Sequence, residues 1–177
     1  MGVVYRHTVE AFVQGVMLQR GVMSKQELGA LGVFPPRDIA VEVWAPAMKK
    51  MSMALSPGVP EEQALELSGR AMISSFQQSL VGRGLVLALK LLGLRRTLLR
   101  MAENFRSADT VTRVTAIDKG PGWVQLAFEN TFGLERHMIG IVSSAMETIF
   151  PKTAIGVTGA PDGKGGYVID VKWDERR

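Results

Sequence analysis

Apolar residues Val9, Phe12, Val13, Val16 and Met17 recur at three- and four-residue spacing, which sets them on one face of an N-terminal helix. Gly21 is read as its stop. Ser24 and Glu27 have capping-box spacing, each side chain satisfying the other's backbone N–H, and predict a short helix ended by Gly32 and Pro35-Pro36. Asp38 is placed to cap a third helix carrying Val41, Trp44, Met48, Met51 and Leu55, with Pro46 as a kink or as its true first turn. After the Ser56-Pro57-Gly58 turn, Pro60 suits a first helical position, and Glu61 and Glu62 suit the positive end of the helix dipole. Leu65, Met72, Phe76 and Leu80 give that helix an apolar face. Gly82 and Gly84 are expected to separate it from an oily, buried helix at 85–92. Gly93 then divides the oily helix from a basic one at 94–105, where Leu94, Leu98, Met101 and Phe105 oppose Arg95, Arg96 and Arg100.

From Thr110 the period changes. Val111, Arg113, Thr115 and Ile117 alternate with Thr112, Val114 and Ala116 in a β-branched run that reads as a strand. A turn at 119–122 leads to a second strand at 123–128. Gly133 introduces a helix whose Leu134, Met138, Ile141, Val142, Ala145, Met146 and Ile149 face inward, and Pro151 closes it. Two last strands, 153–158 and 167–173, flank a glycine-rich loop. The pattern predicts an α+β fold: a helical N-terminal two-thirds packed on a four-stranded antiparallel sheet, with a β-β-α-β-β C-terminal segment. With no repeat or low-complexity linker, the reading is one domain over residues 1–177.

Composition narrows the class without naming a task. At 46% hydrophobic and 21% charged residues the chain is far from the signature of disorder. The longest apolar stretch, 85–94, is broken by Lys90 and is half of the roughly 20 residues needed to span a bilayer. Polar residues interrupt the first twenty positions, which predicts an unexported, cytoplasmic protein. The absence of cysteine removes disulfide and thiolate chemistry. A net charge of +4 would suit nucleic acid, anionic lipid or an acidic partner without choosing among them.

Catalytic patterns are sparse. His7 and His137 are the only imidazoles, neither in a motif, and His137 is read as a solvated or packed helical residue. No metal site is expected, since two distant histidines without cysteine do not make one. The loop 159–166 has the glycines and Lys164 of a phosphate cradle. Its spacing is one residue short and it lies between strands, so it is read as a hairpin turn. Gly82-Arg83-Gly84 lacks the third glycine of a dinucleotide fingerprint and is read as a place where helices pack closely. Glu103, Glu129 and Asp170 are the carboxylates on which an enzyme would depend, but no pair stands out, and no activity is expected.

Two features suggest binding instead. Arg95, Arg96, Arg100 and Arg106 can gather several guanidinium groups for a phosphate or carboxylate, against the plainer reading of a solvated face with an Arg100–Glu103 pair. Aromatic residues do not alternate with them, so nucleic acid is not expected as a partner. Met48, Met51, Met53, Met72 and Met101 would either line an adaptable pocket or fill a core.

Val41-Glu42-Val43-Trp44, the 57–62 turn, Gly82-Arg83 and the segment 100–107 together resemble a paralogous family found mainly in myxobacteria, along nearly the whole chain. That resemblance implies a bacterial protein and hands over no site. The C-terminal layout is also similar to haem–nitric oxide-binding domains and the related vinyl-4-reductase and vesicle-tethering domains. Haem-binding members use a Tyr-x-Ser-x-Arg motif before the last helix and a histidine upstream. Here 127–132 lacks all three motif residues, and no histidine stands between His7 and His137. The resemblance therefore implies the scaffold without haem, and no cofactor is expected. The resulting expectation is a sensory or regulatory module, a homodimer, holding a small apolar or amphipathic ligand between helices and sheet. Met72, Phe76, Met101 and Phe105 would line the pocket, with Arg106 as anion anchor. The alternative is a protein-interaction adaptor with a filled core that contacts its partner through Arg95, Arg96 and Arg100.

Overall fold

The computed structural model describes residues 2–174, with the side chains of Val81, Asn104 and Arg106 outside the described set. A short strand β1 (Val3–Val4) leads into α1 (Arg6–Phe12), which continues as a π-helical turn over Val13–Leu18. The widened turn lies against a later helix, where Ser75 Oγ donates to the Gly15 carbonyl at 2.6 Å. The expected capping box is present on α2 (Lys25–Ala30): Ser24 Oγ accepts from Glu27 N, and Glu27 Oε2 accepts from Ser24 N. β2 (Ile39–Ala40) pairs antiparallel with β1. Then α3 (Val41–Leu55) carries Pro46 on its exposed side. Asp38 does not cap α3; its Oδ1 accepts from Arg6 N at 2.7 Å and ties the loop to the start of α1.

α4 (Glu61–Gln78) has Glu61 and Glu62 in its first turn as expected, but Pro60 is its N-cap, one residue before the first helical position expected for it. The boundary expected at Gly82 falls earlier. Ser79 Oγ accepts from Gly82 N and caps α5 (Leu80–Leu92), so both Gly82 and Gly84 lie inside that helix. A side chain at Gly82 would run into the Phe76 carbonyl, which agrees with glycine serving close packing. Gly93, at φ 84°, separates α5 from α6 (Leu94–Arg106).

The β-β-α-β-β segment is β3 (Arg113–Gly120), β4 (Trp123–Glu129), α7 (Glu135–Ile149), β5 (Ile155–Pro161) and β6 (Tyr167–Trp173). All pairings are antiparallel, in the order β3-β4-β6-β5, with a bulge between Asp118 and Gly120. The glycine-rich loop is a hairpin turn in which Asp162 Oδ1 accepts from Lys164 N and Gly166 N. Those two donors hold the Asp162 carboxyl below its ordinary range.

Apolar residues form two cores. One gathers β1, α1, α2, α3 and α4 around Phe12, Met17, Met48 and Met51; the other sets α6 and α7 on the sheet around Leu98, Leu126, Met146 and Ile169. The cores meet where α4 crosses α7 at Gly69 and Gly140. α7 is therefore covered by α4 on one side and β5 on another, which explains why His137 and Ile139 are buried as well as Val142, Met146 and Ile149. The oily helix departs most from expectation. Val86 and Leu89 pack on the second core, but Leu80, Leu87 and Leu91 are 82%, 63% and 84% exposed.

Candidate functional site

Where the two cores meet, a cavity of about 80 Å³ remains. Val4 and Thr8 reach it from β1 and α1, Trp44 and Ala45 from α3, and Met72 from α4. Phe105 closes it from α6, Phe132 and Leu134 from the segment before α7, and His137 and Ile141 from α7 itself. No residue of the four-stranded sheet lines it, so it lies among helices and loops instead of between helices and sheet.

Several polar groups on the wall are already engaged within the protein. Thr8 Oγ1 donates to the Ala108 carbonyl at 3.0 Å, Asp109 Oδ1 accepts from Val111 N and Thr112 N, and Thr131 Oγ1 donates to Glu135 Oε1. Carbon therefore dominates what the wall offers a guest. His137 is buried, with Nδ1 2.8 Å from Ser68 Oγ. Ser68 Oγ is also 2.7 Å from the Leu65 carbonyl. Both hydrogen bonds form together only when Ser68 donates to Leu65 and Nδ1–H donates to Ser68, which fixes the imidazole tautomer. Burial lowers the His137 pKa from 6.5 to about 4, so the ring is neutral at neutral pH. Phe12 meets the ring edge-on, with centroids 5.9 Å apart.

Met72 and Phe105 thus both line the cavity. Met101 lies in the second core, and Phe76 is 41% exposed, away from the cavity. The Arg106 side chain lies outside the described residues. The arginines expected to meet a partner separate: Arg95 is tied to Asp118 by contacts of 2.6 to 2.9 Å, whereas Arg96 and Arg100 are exposed. That pairing draws the Asp118 carboxyl below its usual range. Asp170 accepts from Trp123 Nε1 and Gln125 Nε2 on the sheet, a cross-strand structural role. An open groove of about 430 Å³ runs between α4, α7 and β5. Its two guanidinium groups are already faced by carboxylates, Arg70 by Glu147 and Arg136 by Glu62 and Glu66. Among the described residues no group of three or more His, Cys, Asp or Glu could hold a metal, and no helix is long and apolar enough to cross a membrane.

Sequence reasoning missed His137 as a cavity residue and the wall contributed by Thr8 and Trp44. His137 lies beside the apolar stripe of α7 and not on it, so its burial follows from the second covered face of that helix.

The fold is that of the H-NOX domains. An oxygen-binding H-NOX domain related to soluble guanylate cyclases, solved as its oxygen complex, superposes with a TM-score of 0.65 at 15% identity, over 93% of this chain and 92% of that one. A doubly substituted Tt H-NOX gives 0.66 at 15% identity, over 98% and 95%. A single-site variant of the T. tengcongensis H-NOX gives 0.61 at 15% identity, over 93% and 94%. By sequence, the chain belongs to the family described as "Protein of unknown function (DUF2378)", whose profile matches residues 3–174. No curated protein matches it.

Haem does not fit this site. A cavity of about 150 Å³ is what admits benzene, and 80 Å³ is roughly half of that, whereas a tetrapyrrole is several times larger than benzene. The segment before α7 also supplies none of the three propionate-binding side chains.

Proposed function

We propose that this protein is a non-catalytic sensory or regulatory module that takes a small, mainly apolar ligand into the cavity between α1, α3, α4, α6 and α7. The carbon-lined cavity carries the reading: it sits at the junction of two cores, so its occupancy bears on how they pack. The H-NOX fold supports it, because relatives in fold include a domain whose description is oxygen-binding. Volume sets the ligand class. About 80 Å³ suits a diatomic gas, a short-chain alcohol or a group no larger than a few carbons, with Met72 as the adaptable wall and Phe105 as the rigid one.

Native mass spectrometry of gently purified protein, compared with the denatured mass, tests this. A reproducible small adduct, lost on denaturation and lost in Ala45→Leu, supports the reading. Retention of the adduct in Ala45→Leu, which fills the cavity, would place it elsewhere and count against the proposal.

A further inference from the structure

The outward face of α5 is the largest feature that the cavity leaves unexplained. At about 100° per residue, Leu80, Leu87 and Leu91 fall within roughly 40° of one another, on the side opposite Leu89. They stand exposed along a helix of about 20 Å. Gly84 shares this side, and a side chain there would meet nothing within 4 Å. A helix apolar on both faces normally has both faces covered.

The charge around this stripe selects what covers it. From Leu67 to Ala102 the sequence has no Asp or Glu. Of its cations, Arg70 is paired with Glu147 and Arg95 with Asp118. Arg83, Lys90, Arg96 and Arg100 are exposed, and among the described residues none of them is in an ion pair. Arg83 and Lys90 lie on one flank of the leucine stripe, roughly 60 to 80° around the helix. A second copy of the chain would bring Arg83 and Lys90 against their own equivalents with no carboxylate on α5 to separate them. The two cavities described above include no α5 residue, so the stripe is a ridge without a pocket for partner side chains.

We infer that α5 is a peripheral membrane-docking helix for anionic bilayers. Leu80, Leu87 and Leu91 enter the headgroup–acyl boundary, while Arg83 and Lys90 meet lipid phosphates and carboxylates, and Arg96 and Arg100 add to the attracting field. This inference is independent of the cavity.

The test is flotation of the full chain with phosphatidylcholine vesicles, with and without phosphatidylserine, across a salt series. The protein should float with the anionic vesicles and be released as salt rises. Each Leu→Ser change at 80, 87 or 91 should lower partitioning about tenfold. Arg83→Gln and Lys90→Gln should lower it about fivefold each. Because these sites are exposed, near-native circular dichroism and Tm should accompany the losses. Two results would overturn the inference. One is no flotation with anionic vesicles at low salt; the other is undiminished flotation of the triple Leu→Ser variant, which would mean charge alone acts. A dimer that the triple variant converts to monomer, with no vesicle binding by the wild type, would assign the stripe to a second copy instead.

Discussion

Gly→Ala at position 140 should destabilise the protein, while the same change at position 84 should stabilise it. At Gly140 a Cβ would lie 2.9 Å from the Glu66 carbonyl carbon, closer still to its oxygen, and 3.2 Å from Arg70 N. The reciprocal site, Gly69, faces Ile141 N at 2.8 Å and the Gly140 carbonyl carbon at 3.0 Å. These are backbone atoms of a facing helix, so no rotamer change relieves the overlap, and α4 and α7 must move apart. Overpacking of this kind costs about 1–3 kcal/mol or more, and backbone obstruction places it at or above the upper end. Helix propensity returns about 1 kcal/mol on replacing a mid-helix glycine, leaving a net loss of ~2–3 kcal/mol. For a chain of this length that is a Tm lower by roughly 5–10 °C. Gly84→Ala meets open space within α5 and should gain ~0.5–1 kcal/mol. Urea denaturation and thermal melts of both variants decide the matter. Gly140→Ala as stable as wild type, or both changes moving stability in one direction, would refute the backbone contact between α4 and α7.

Other consequences follow from the buried polar groups and the cavity mouth. Ser68→Ala strips the buried His137 Nδ1 of its partner and should cost ~1–3 kcal/mol in urea denaturation. Ser52→Ala should be neutral or stabilising, because Ser52 Oγ is buried without a hydrogen bond. His137 is neutral in the fold, with a pKa of about 4 against 6.5 for a free imidazole. The unfolded chain therefore binds more protons between these values, so stability present above pH 6.5 is lost as pH falls toward 4. At 1.36 kcal/mol per pH unit this amounts to ~3 kcal/mol, which His137→Phe should remove from a pH series of melts. Phe132 lines the cavity mouth at φ 55°, a conformation that strains a bulky residue. Phe132→Gly should trade that strain against the lost contacts of the ring, leaving Tm near wild type, and should speed guest exchange measured by NMR.

Much of the fold was legible where local chemistry decides it: the Ser24–Glu27 box, the helix start near Pro60, the break at Gly93, and the switch to alternation near Thr110. What escaped notice depends on partners distant in sequence. Asp38 carries a capping residue's chemistry, but Arg6 N offered a competing donor from across the chain. Gly82 and Gly84 do not separate the helices, because Ser79 caps the next one first, whereas the close packing expected at Gly82 is what the Phe76 carbonyl demands. α7 buries two faces, so a single apolar stripe could not announce His137 or Ile139. Hydropathy alone also could not tell the inward leucines of α5 from the outward ones. For the candidate site, Met72 and Phe105 were reachable from helix faces, whereas Thr8, Trp44 and His137 come together only through the junction of two cores.

Xenon binding followed by amide chemical shifts tests the central claim most directly, because the probe needs only a dry apolar space of suitable size. Saturable shifts confined to residues around Ala45, Met72, Phe105 and His137, and abolished by Ala45→Leu, are the predicted result. Shifts absent from these residues under xenon pressure, or persisting there in Ala45→Leu, would contradict a cavity open to a small apolar guest.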